Sequence, residues 1–293
     1  MRQSVWYAWV MQSSGRSEDG HEKRSGTVGG ALLLGVAVLS AIAWRAPHAP
    51  DLHPTVAAEA QGAAAAGLAG SILLAGAAVG WMRGRAWAAY VVLPCGLLFF
   101  SLAILLVTEG AGVTRTGAAL AVQPLMVVVT ALGLPLAGAA LGRVAVPLSQ
   151  VRVGRGEGRW MAAVLVISAG LLWFIWGRVA ADLVLTGRST HSYQEAGATS
   201  LLWTAALVDT GFSTGCYLAG AWLLLRGGRA AAPAGFVAAA YLAQHMAQAV
   251  VIEVHRLVTG VPVRVPLLGV AAVLMGAGVW GAVRLARRAV RHA

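Results

Sequence analysis

Charged residues are scarce in this sequence: they make up 11% of it, whereas an ordinary soluble domain has about 25%. Cysteine occurs only twice, at Cys95 and Cys216, so no Cys-x-x-Cys or Cys/His spacing is present to hold zinc, a cluster or covalently attached haem. There is also no glycine-rich phosphate loop and no serine framed by a nucleophile elbow. The sequence therefore argues against a soluble enzyme, and we expect no cofactor.

What the sequence has instead is hydrophobicity, which reaches 58% and is concentrated in long segments. A helix needs about 20 apolar residues to cross the hydrocarbon core of a bilayer. Segments of about 10 residues with strict alternation, which would indicate a transmembrane barrel, do not occur. The sequence predicts an all-α, polytopic transmembrane helical bundle of about eight spans: Thr27–Trp44, Gly62–Met82, Trp87–Val107, Gly117–Leu141, Trp160–Leu185, Thr199–Leu225, Ala232–Ile252 and Val265–Ala286.

The basic residues are unevenly divided between the two predicted sides of the membrane. Of 22 Lys and Arg residues, 16 lie on one side and six on the other. The positive-inside rule places the richer side in the cytoplasm, and an even number of spans then places both termini there. The six outer residues are Arg45, Arg115, Arg178, Arg188, Arg256 and Arg264.

This charge distribution also indicates the partners. Short clusters of Lys and Arg beside a membrane are attracted to anionic lipid head groups, by about 1 kcal/mol per residue. Nucleic-acid binding would need a basic patch on a soluble module, and the sequence has no such module. We therefore expect a bilayer with anionic lipids on the cytoplasmic face as the partner, no nucleic acid, and a location in the cell membrane of a bacterium.

The spans divide the chain into three regions. We expect residues 1–26 to be a flexible cytoplasmic tail, 27–286 to be the transmembrane domain, and 287–293 to be a basic cytoplasmic tail. Tryptophans favour the level of the lipid head groups, and they lie near the predicted span ends: Trp44, Trp81, Trp87, Trp160, Trp176, Trp203, Trp222 and Trp280.

Glycine, with 37 residues, is abundant for a bundle of helices. Pairs of small residues four apart let helix backbones approach closely where lipid provides no hydrophobic drive for association. The sequence therefore predicts close helix contacts at three pairs: Gly76 and Gly80, Gly138 and Gly142, and Gly211 and Gly215.

One intramembrane polar cluster stands out. Asp209 lies about 15 Å into the sixth span at 1.5 Å per residue, where an ionisable side chain is costly unless it is paired, protonated or in a wet cavity. On the seventh span, Gln244, His245 and Gln248 lie close together, and His245 is about 10 Å below the same surface. Adjacent antiparallel helices would bring these groups within reach of each other.

Two functions are compatible with this cluster. In the first, the chain is a non-enzymatic membrane protein, and Asp209 only fixes helix packing through a hydrogen bond to Gln248 or His245. In the second, the chain is a small-solute or proton-coupled transporter that uses Asp209 and the polar face of the seventh helix. A water-accessible cavity that reaches Asp209 would favour transport, and dry packing would favour the scaffold. An intramembrane enzyme ranks third, because no pair of catalytic residues stands at a defined motif.

Acidic residues and histidines also occur in the predicted outer connections. We expect them to be solvated loop residues. The alternative is that together they form an extracytoplasmic metal site, for which the spacing Asp51-x-His53 is weak evidence. They are His48, Asp51, His53, Glu59, Asp182, His191, Glu195, Glu253 and His255.

Three stretches of the region 199–250 form a recognisable pattern: Leu207-Val208-Asp209-Thr210, Leu223-Leu224-Leu225-Arg226 and Pro233-Ala234-Gly235-Phe236. In this pattern the region resembles uncharacterised actinobacterial multi-pass integral membrane proteins. In that family a Val/Leu-Asp-Leu motif opens one helix, an arginine-rich turn with Pro-x-Gly-Tyr follows, and another helix begins. The chain lacks the proline that usually follows the aspartate and has a longer turn. The resemblance implies a membrane fold and a motif position for Asp209, but no activity.

Overall fold

The computed structural model describes residues 27, 29–38, 41, 54–109, 127, 131–188 and 199–292. Within these ranges the chain is almost entirely helical and has no strand, which confirms the all-α class. The described helices are, in chain order, α1 (Gly29–Val38), α2 (Pro54–Met82), α3 (Trp87–Glu109), α4 (Gly133–Gln150), α5 (Arg155–Thr186), α6 (Thr199–Arg226), α7 (Ala231–Val258) and α8 (Val265–His292). Within α6, the α-helix Thr199–Leu207 continues through a π-helical segment, Val208–Ser213, into the α-helix Thr214–Arg226.

Four of these helices are long and apolar enough to cross a membrane. They are Val56–Met82 within α2, all of α5, all of α7, and Val265–Arg291 within α8, with lengths of 27 to 32 residues. Their outward surfaces are apolar as well: Ile72 is 66% exposed and Phe174 is 64% exposed. A helix that is hydrophobic all round is typical of a membrane span. The chain thus has the features of a membrane protein, and the capacity to span is shown for four of the eight predicted segments.

Several helices extend beyond the predicted spans. α2 begins at Pro54 rather than Gly62, and α7 continues past Ile252 to Val258. α8 reaches His292, so the predicted basic tail is helical over 287–292. A span predicted from hydropathy ends where charged residues begin. The helix itself can continue further, because its polar side chains form hydrogen bonds and ion pairs with other residues. Several predictions lie outside the described residues: the tail 1–26, residues 117–126 and 128–130 of the fourth predicted span, and His48, Asp51, His53, His191 and Glu195 of the alternative metal site.

The centre of the bundle is α7, which packs against α2, α3, α4, α5, α6 and α8. Its alanine-rich first half is largely buried, and Tyr241 and Leu242 are almost fully enclosed. The ring of Phe236 meets that of Tyr90 on α3 edge to face, with centroids 5.3 Å apart. Small side chains on α7 let its neighbours approach closely, so α7 is the helix around which these six others pack.

Of the predicted glycine pairs, only Gly80 makes a close helix contact: a Cβ there would lie 2.6 Å from the ring of Trp87 on α3. At the other five positions the prediction was wrong. A Cβ added at Gly76, Gly138, Gly142 or Gly215 would meet nothing within 4 Å among the described residues, and at Gly211 only a side chain of its own helix 3.7 Å away. Close approach occurs elsewhere. A Cβ at Gly96 on α3 would collide with the carbonyl oxygen of Gly133 on α4, and one at Gly278 on α8 would lie 2.7 Å from the carbonyl oxygen of Ala239 on α7.

Ion pairs and aromatic contacts mark the predicted cytoplasmic end of the bundle. Glu157, in the first turn of α5, binds Arg284 at 2.7 Å and Arg288 at 2.8 Å near the end of α8. Next to them the rings of Trp160 and Trp280 pack edge to face with centroids 4.8 Å apart. The start of α5 and the end of α8 therefore lie at the same end, as antiparallel helices require.

Candidate functional site

The structure brings Asp209 and His245 together. Oδ1 of Asp209, in the π-helical segment of α6, lies 3.1 Å from Nε2 of His245 on α7. The side chains are 21% and 16% exposed, so both are largely enclosed but still reachable by a molecule the size of water. An acid and a base so placed can share or exchange a proton.

The local conformation of α6 positions Asp209. The π-helical turn over Val208–Ser213 interrupts the α-helical hydrogen-bond pattern, and the hydroxyls of two threonines stabilise it. Thr214 donates its hydroxyl to the carbonyl oxygen of Asp209 at 2.9 Å, and Thr210 donates to the carbonyl oxygen of Ala206 at 2.6 Å. Single π-helical turns within α-helices often occur at functional sites.

A third side chain at the site, Trp176 on α5, was not expected there. Its indole Nε1–H donates to Oδ2 of Asp209 at 2.8 Å. The sequence assigned this tryptophan to the membrane-interface belt, where an indole near a span end is usual. An indole nitrogen can only donate, so Oδ2 always acts as an acceptor. Oδ1, the oxygen that faces His245, is therefore the one through which Asp209 can exchange a proton with the imidazole.

The other imidazole nitrogen extends the network into the core. Nδ1 of His245 lies 2.8 Å from the hydroxyl of Tyr217, a side chain with no exposed surface. In one protonation state Nε2–H donates to Asp209 while Tyr217 donates to Nδ1. When a proton is added at Nδ1, that nitrogen donates to the Tyr217 oxygen instead. The pair can thus take up a proton while every heavy atom stays in place.

A cavity of about 210 Å³ lies against this pair, between α2, α3, α6 and α7. Since a water molecule takes up about 30 Å³ of liquid, the cavity has room for several waters or a small solute. Ser101 and Gln248 add polar groups, Glu59 lies in the part of the wall formed by the start of α2, and the remaining wall is mostly apolar. The lining residues are Val56, Glu59, Ala60, Ala63, Leu98, Ser101, Ala205, Val208, Asp209, Tyr241, His245, Gln248, Ala249 and Ile252.

Of the two glutamines predicted at the site, only one lies there. Gln248 lines the cavity with Asp209 and His245. Gln244, predicted at the same site, lies against α3 instead. With its amide oriented to satisfy both atoms, it donates to the carbonyl oxygen of Pro94 and accepts from the backbone N–H of Cys95 at 3.2 Å. Gln244 thus joins α7 to α3 at the proline of α3 and does not line the cavity.

The end of the cavity that the sequence predicts to be the outer one meets a largely buried ion network, which we call the outer ion network and which sequence reasoning had placed in solvated loops. Glu253, on α7, has no exposed surface, and Arg256 is only 6% exposed. Arg256 lies 3.1 Å from Glu59 and donates to the carbonyl oxygen of Pro262 at 2.8 Å. Arg264 donates to Glu253 through its backbone N–H at 2.8 Å and through Nε at 2.6 Å. These residues connect α2, α7 and the turn before α8.

Sequence reasoning missed Trp176, Tyr217 and the ion network. For Tyr217 a signal was present, because it follows Asp209 by about two helical turns and so lies near the same face of α6. For Trp176 there was none, since its position near a span end has an ordinary explanation. Comparison of the chain with protein-family models, with curated proteins and with solved structures finds no match.

Proposed function

We propose that this chain is a multi-pass membrane carrier that moves protons through the Asp209–His245 pair, with a small polar solute as the cargo that the neighbouring cavity can hold. One observation carries the proposal: an acid–base pair with a 3.1 Å contact lines a cavity of about 210 Å³. A role in packing alone would call for dry surroundings, whereas here the two side chains keep part of their surface open to the cavity.

The arrangement of hydrogen bonds supports proton uptake at this pair. Trp176 occupies Oδ2 of Asp209, which leaves Oδ1 and Nε2 of His245 to share the proton. Tyr217 can accept from or donate to Nδ1, so both imidazole nitrogens of His245 keep a hydrogen bond in either protonation state. An intramembrane acid paired with a histidine is typical of proton relays in transporters.

The position of Glu59 supports access from the outer end. Glu59 lines the cavity and also contacts Arg256 and Arg264, which belong to the outer ion network. A solute or a proton that enters there reaches Asp209 through the cavity. The ion network then controls entry, because it holds together the elements at the cavity's outer end.

We further propose the complete topology predicted from the sequence: eight spans in the cell membrane, both termini in the cytoplasm, and anionic lipids against the basic face. Two groups of ion pairs, at opposite ends of the bundle, support this assignment of an inner and an outer end. Glu157, Arg284 and Arg288 meet at the end that carries most of the arginines, and Glu59 meets Arg256 at the opposite end. The resemblance of residues 199–250 to actinobacterial membrane proteins is compatible with this placement.

Proton flux into liposomes tests the function. Purified protein is reconstituted into liposomes that contain a trapped pH-sensitive dye, and a potassium diffusion potential is imposed with valinomycin. We expect wild-type vesicles to acidify faster than protein-free ones. The variant Asp209→Asn should lose most of this difference, because an amide cannot accept the proton.

The matched control is Asp182→Asn, the same chemical change at an exposed position near the end of α5. It should keep the wild-type flux. Equal acidification of wild-type and protein-free vesicles would overturn the proposal, and so would wild-type flux in Asp209→Asn.

A further inference from the structure

A second cavity lies on the other side of α7, towards the predicted cytoplasmic end. It is a groove of about 550 Å³ between α4, α6 and α7. Most of its wall consists of apolar side chains, many of them small, such as Ala145, Ala219 and Ala234. Arg229, on the turn between α6 and α7, lies at one end of the groove, and the thiol of Cys216 lies along its wall.

Arg229 differs from its neighbours in having no partner within the described part of the chain. Arg226, three residues earlier, places its guanidinium over the ring of Trp222, 5.1 Å from the centroid. Arg143 does the same over Trp81 at 3.9 Å. Arg229 is exposed and makes no hydrogen bond or ion pair to any described residue. Its five N–H donors are therefore available to an external anion.

We propose that the groove binds one anionic phospholipid of the cytoplasmic leaflet, with an acyl chain along α4, α6 and α7 and the phosphate on Arg229. Water does not fill an apolar groove stably, because each water needs two to four polar partners. An empty groove leaves its walls without van der Waals contacts. In a membrane the abundant apolar molecule is the lipid chain. A guanidinium matches a phosphate group in a two-point geometry, and basic pockets between helices on the cytoplasmic side are suited to such head groups.

The proposal rests on the membrane placement and on the proposed inner end, but not on proton transport. The native thiol of Cys216 gives a direct measure of groove occupancy. Cys95, the other cysteine, is 1% exposed, so a maleimide should modify Cys216 much faster in the folded protein. The variant Cys216→Ala gives the background labelling in the absence of this thiol. Because labelling is done in detergent micelles, its outcome does not depend on the orientation of the protein in a membrane.

The probes are dioleoyl phosphatidylglycerol and dioleoyl phosphatidylcholine, added to delipidated protein at equal concentration. Both lipids carry a phosphate, but the choline cation offsets that charge in phosphatidylcholine. We therefore expect phosphatidylglycerol, a net anion, to protect Cys216 about fivefold better, the ratio that one favourable basic contact with an anionic lipid supplies. Arg229→Gln should make the two lipids equal, and Arg226→Gln should leave the preference intact. Ala219→Leu fills the groove from an exposed position of α6 and should abolish protection by both lipids.

Three outcomes would overturn the proposal. The first is no protection by phosphatidylglycerol. The second is equal protection of the wild type by both lipids, which would mean that the head group is not selected. The third is protection that rises with protein concentration in the absence of lipid, which would show that a second copy of the chain covers the groove.

Discussion

Trp176 donates its indole N–H to Asp209 at 2.8 Å, and this contact ties α5 to the π-helical turn of α6. It gives one carboxyl oxygen a fixed hydrogen-bond donor and leaves the other carboxyl oxygen facing His245. A tryptophan that a composition rule would assign to the lipid head groups thus acts as a positioning residue within the candidate site.

Removing this donor should weaken the bundle measurably. Trp176→Phe keeps an aromatic ring but leaves Oδ2 of Asp209 without its hydrogen bond. A hydrogen bond contributes about 0.5–1.5 kcal/mol between neutral groups and about 1.5–3 kcal/mol to a charged one, so we expect a fall in the midpoint of thermal unfolding in detergent. Trp173→Phe is the matched control, since Trp173 lies on the same helix and is 60% exposed. Equal midpoints for the two variants would show that the indole contact does not stabilise the protein.

The outer ion network should be more sensitive than the surface arginines. Arg256→Met removes the guanidinium that contacts Glu59 and the carbonyl oxygen of Pro262, next to the fully buried Glu253. Breaking a buried ion pair from one side costs about 3–5 kcal/mol when the remaining charge is left without a partner. Because Arg264 still contacts both Glu59 and Glu253, we expect a loss in the free energy of unfolding that is clear but below that range.

The control for that change is Arg178→Met, at an exposed position on α5 that has no ion pair with the described residues. Its stability should stay close to that of the wild type. If Arg256→Met were as stable as Arg178→Met, the network would be an incidental surface cluster and could not order the outer end of the cavity.

The packing of α7 against α8 can be tested with two glycines of one helix. In Gly278→Ala the new methyl group would lie 2.7 Å from the carbonyl oxygen of Ala239, so backbone must move, and overpacking of this kind costs about 1–3 kcal/mol. In Gly276→Ala the methyl group meets nothing within 4 Å, so the better helix propensity of alanine should leave stability equal or raise it by about 0.5–1 kcal/mol. Circular dichroism during heating measures both. The same loss in both variants would contradict the close approach at Gly278.

The sequence predicts the Asp209–His245 contact because the cost of a buried charge can be recognised from the residues around it in the sequence. An aspartate in the middle of an apolar run needs a partner, and residue counting places His245 at a similar depth. The helix that packs against a glycine cannot be recognised from the neighbouring sequence. A pair such as Gly138 and Gly142 shows that one helix face is smooth, but not whether another helix lies on it. The tight contacts instead involve Gly96, Gly133 and Gly278.

The ends of the helices could not be predicted for a related reason. Glu59 and Glu253 interrupt the apolar runs, and a hydropathy criterion therefore assigns them to loops. Their helices continue because arginines from other elements neutralise both carboxylates. The π-helical turn at Asp209 left no residue pattern, since threonine, glycine and serine occur throughout ordinary spans. That the region 199–250 resembles a known membrane family, and that the chain crosses the membrane eight times, both stay predictions.

The number of spans has a direct test in reporter fusions, whose signal depends on the side of the membrane. The eight-span topology places fusions after Arg188 and after Arg264 outside, and fusions after Gly154 and after Gly228 inside. The physical basis is the excess of basic residues on the inner side, which retains those connections in the cytoplasm. An enzyme active only outside and a fluorescent protein that matures only inside give complementary signals at each position. A cytoplasmic signal at Arg188 would contradict the topology, because α5 would then start and end on one side despite its 32 residues, a length of about 48 Å at 1.5 Å per residue.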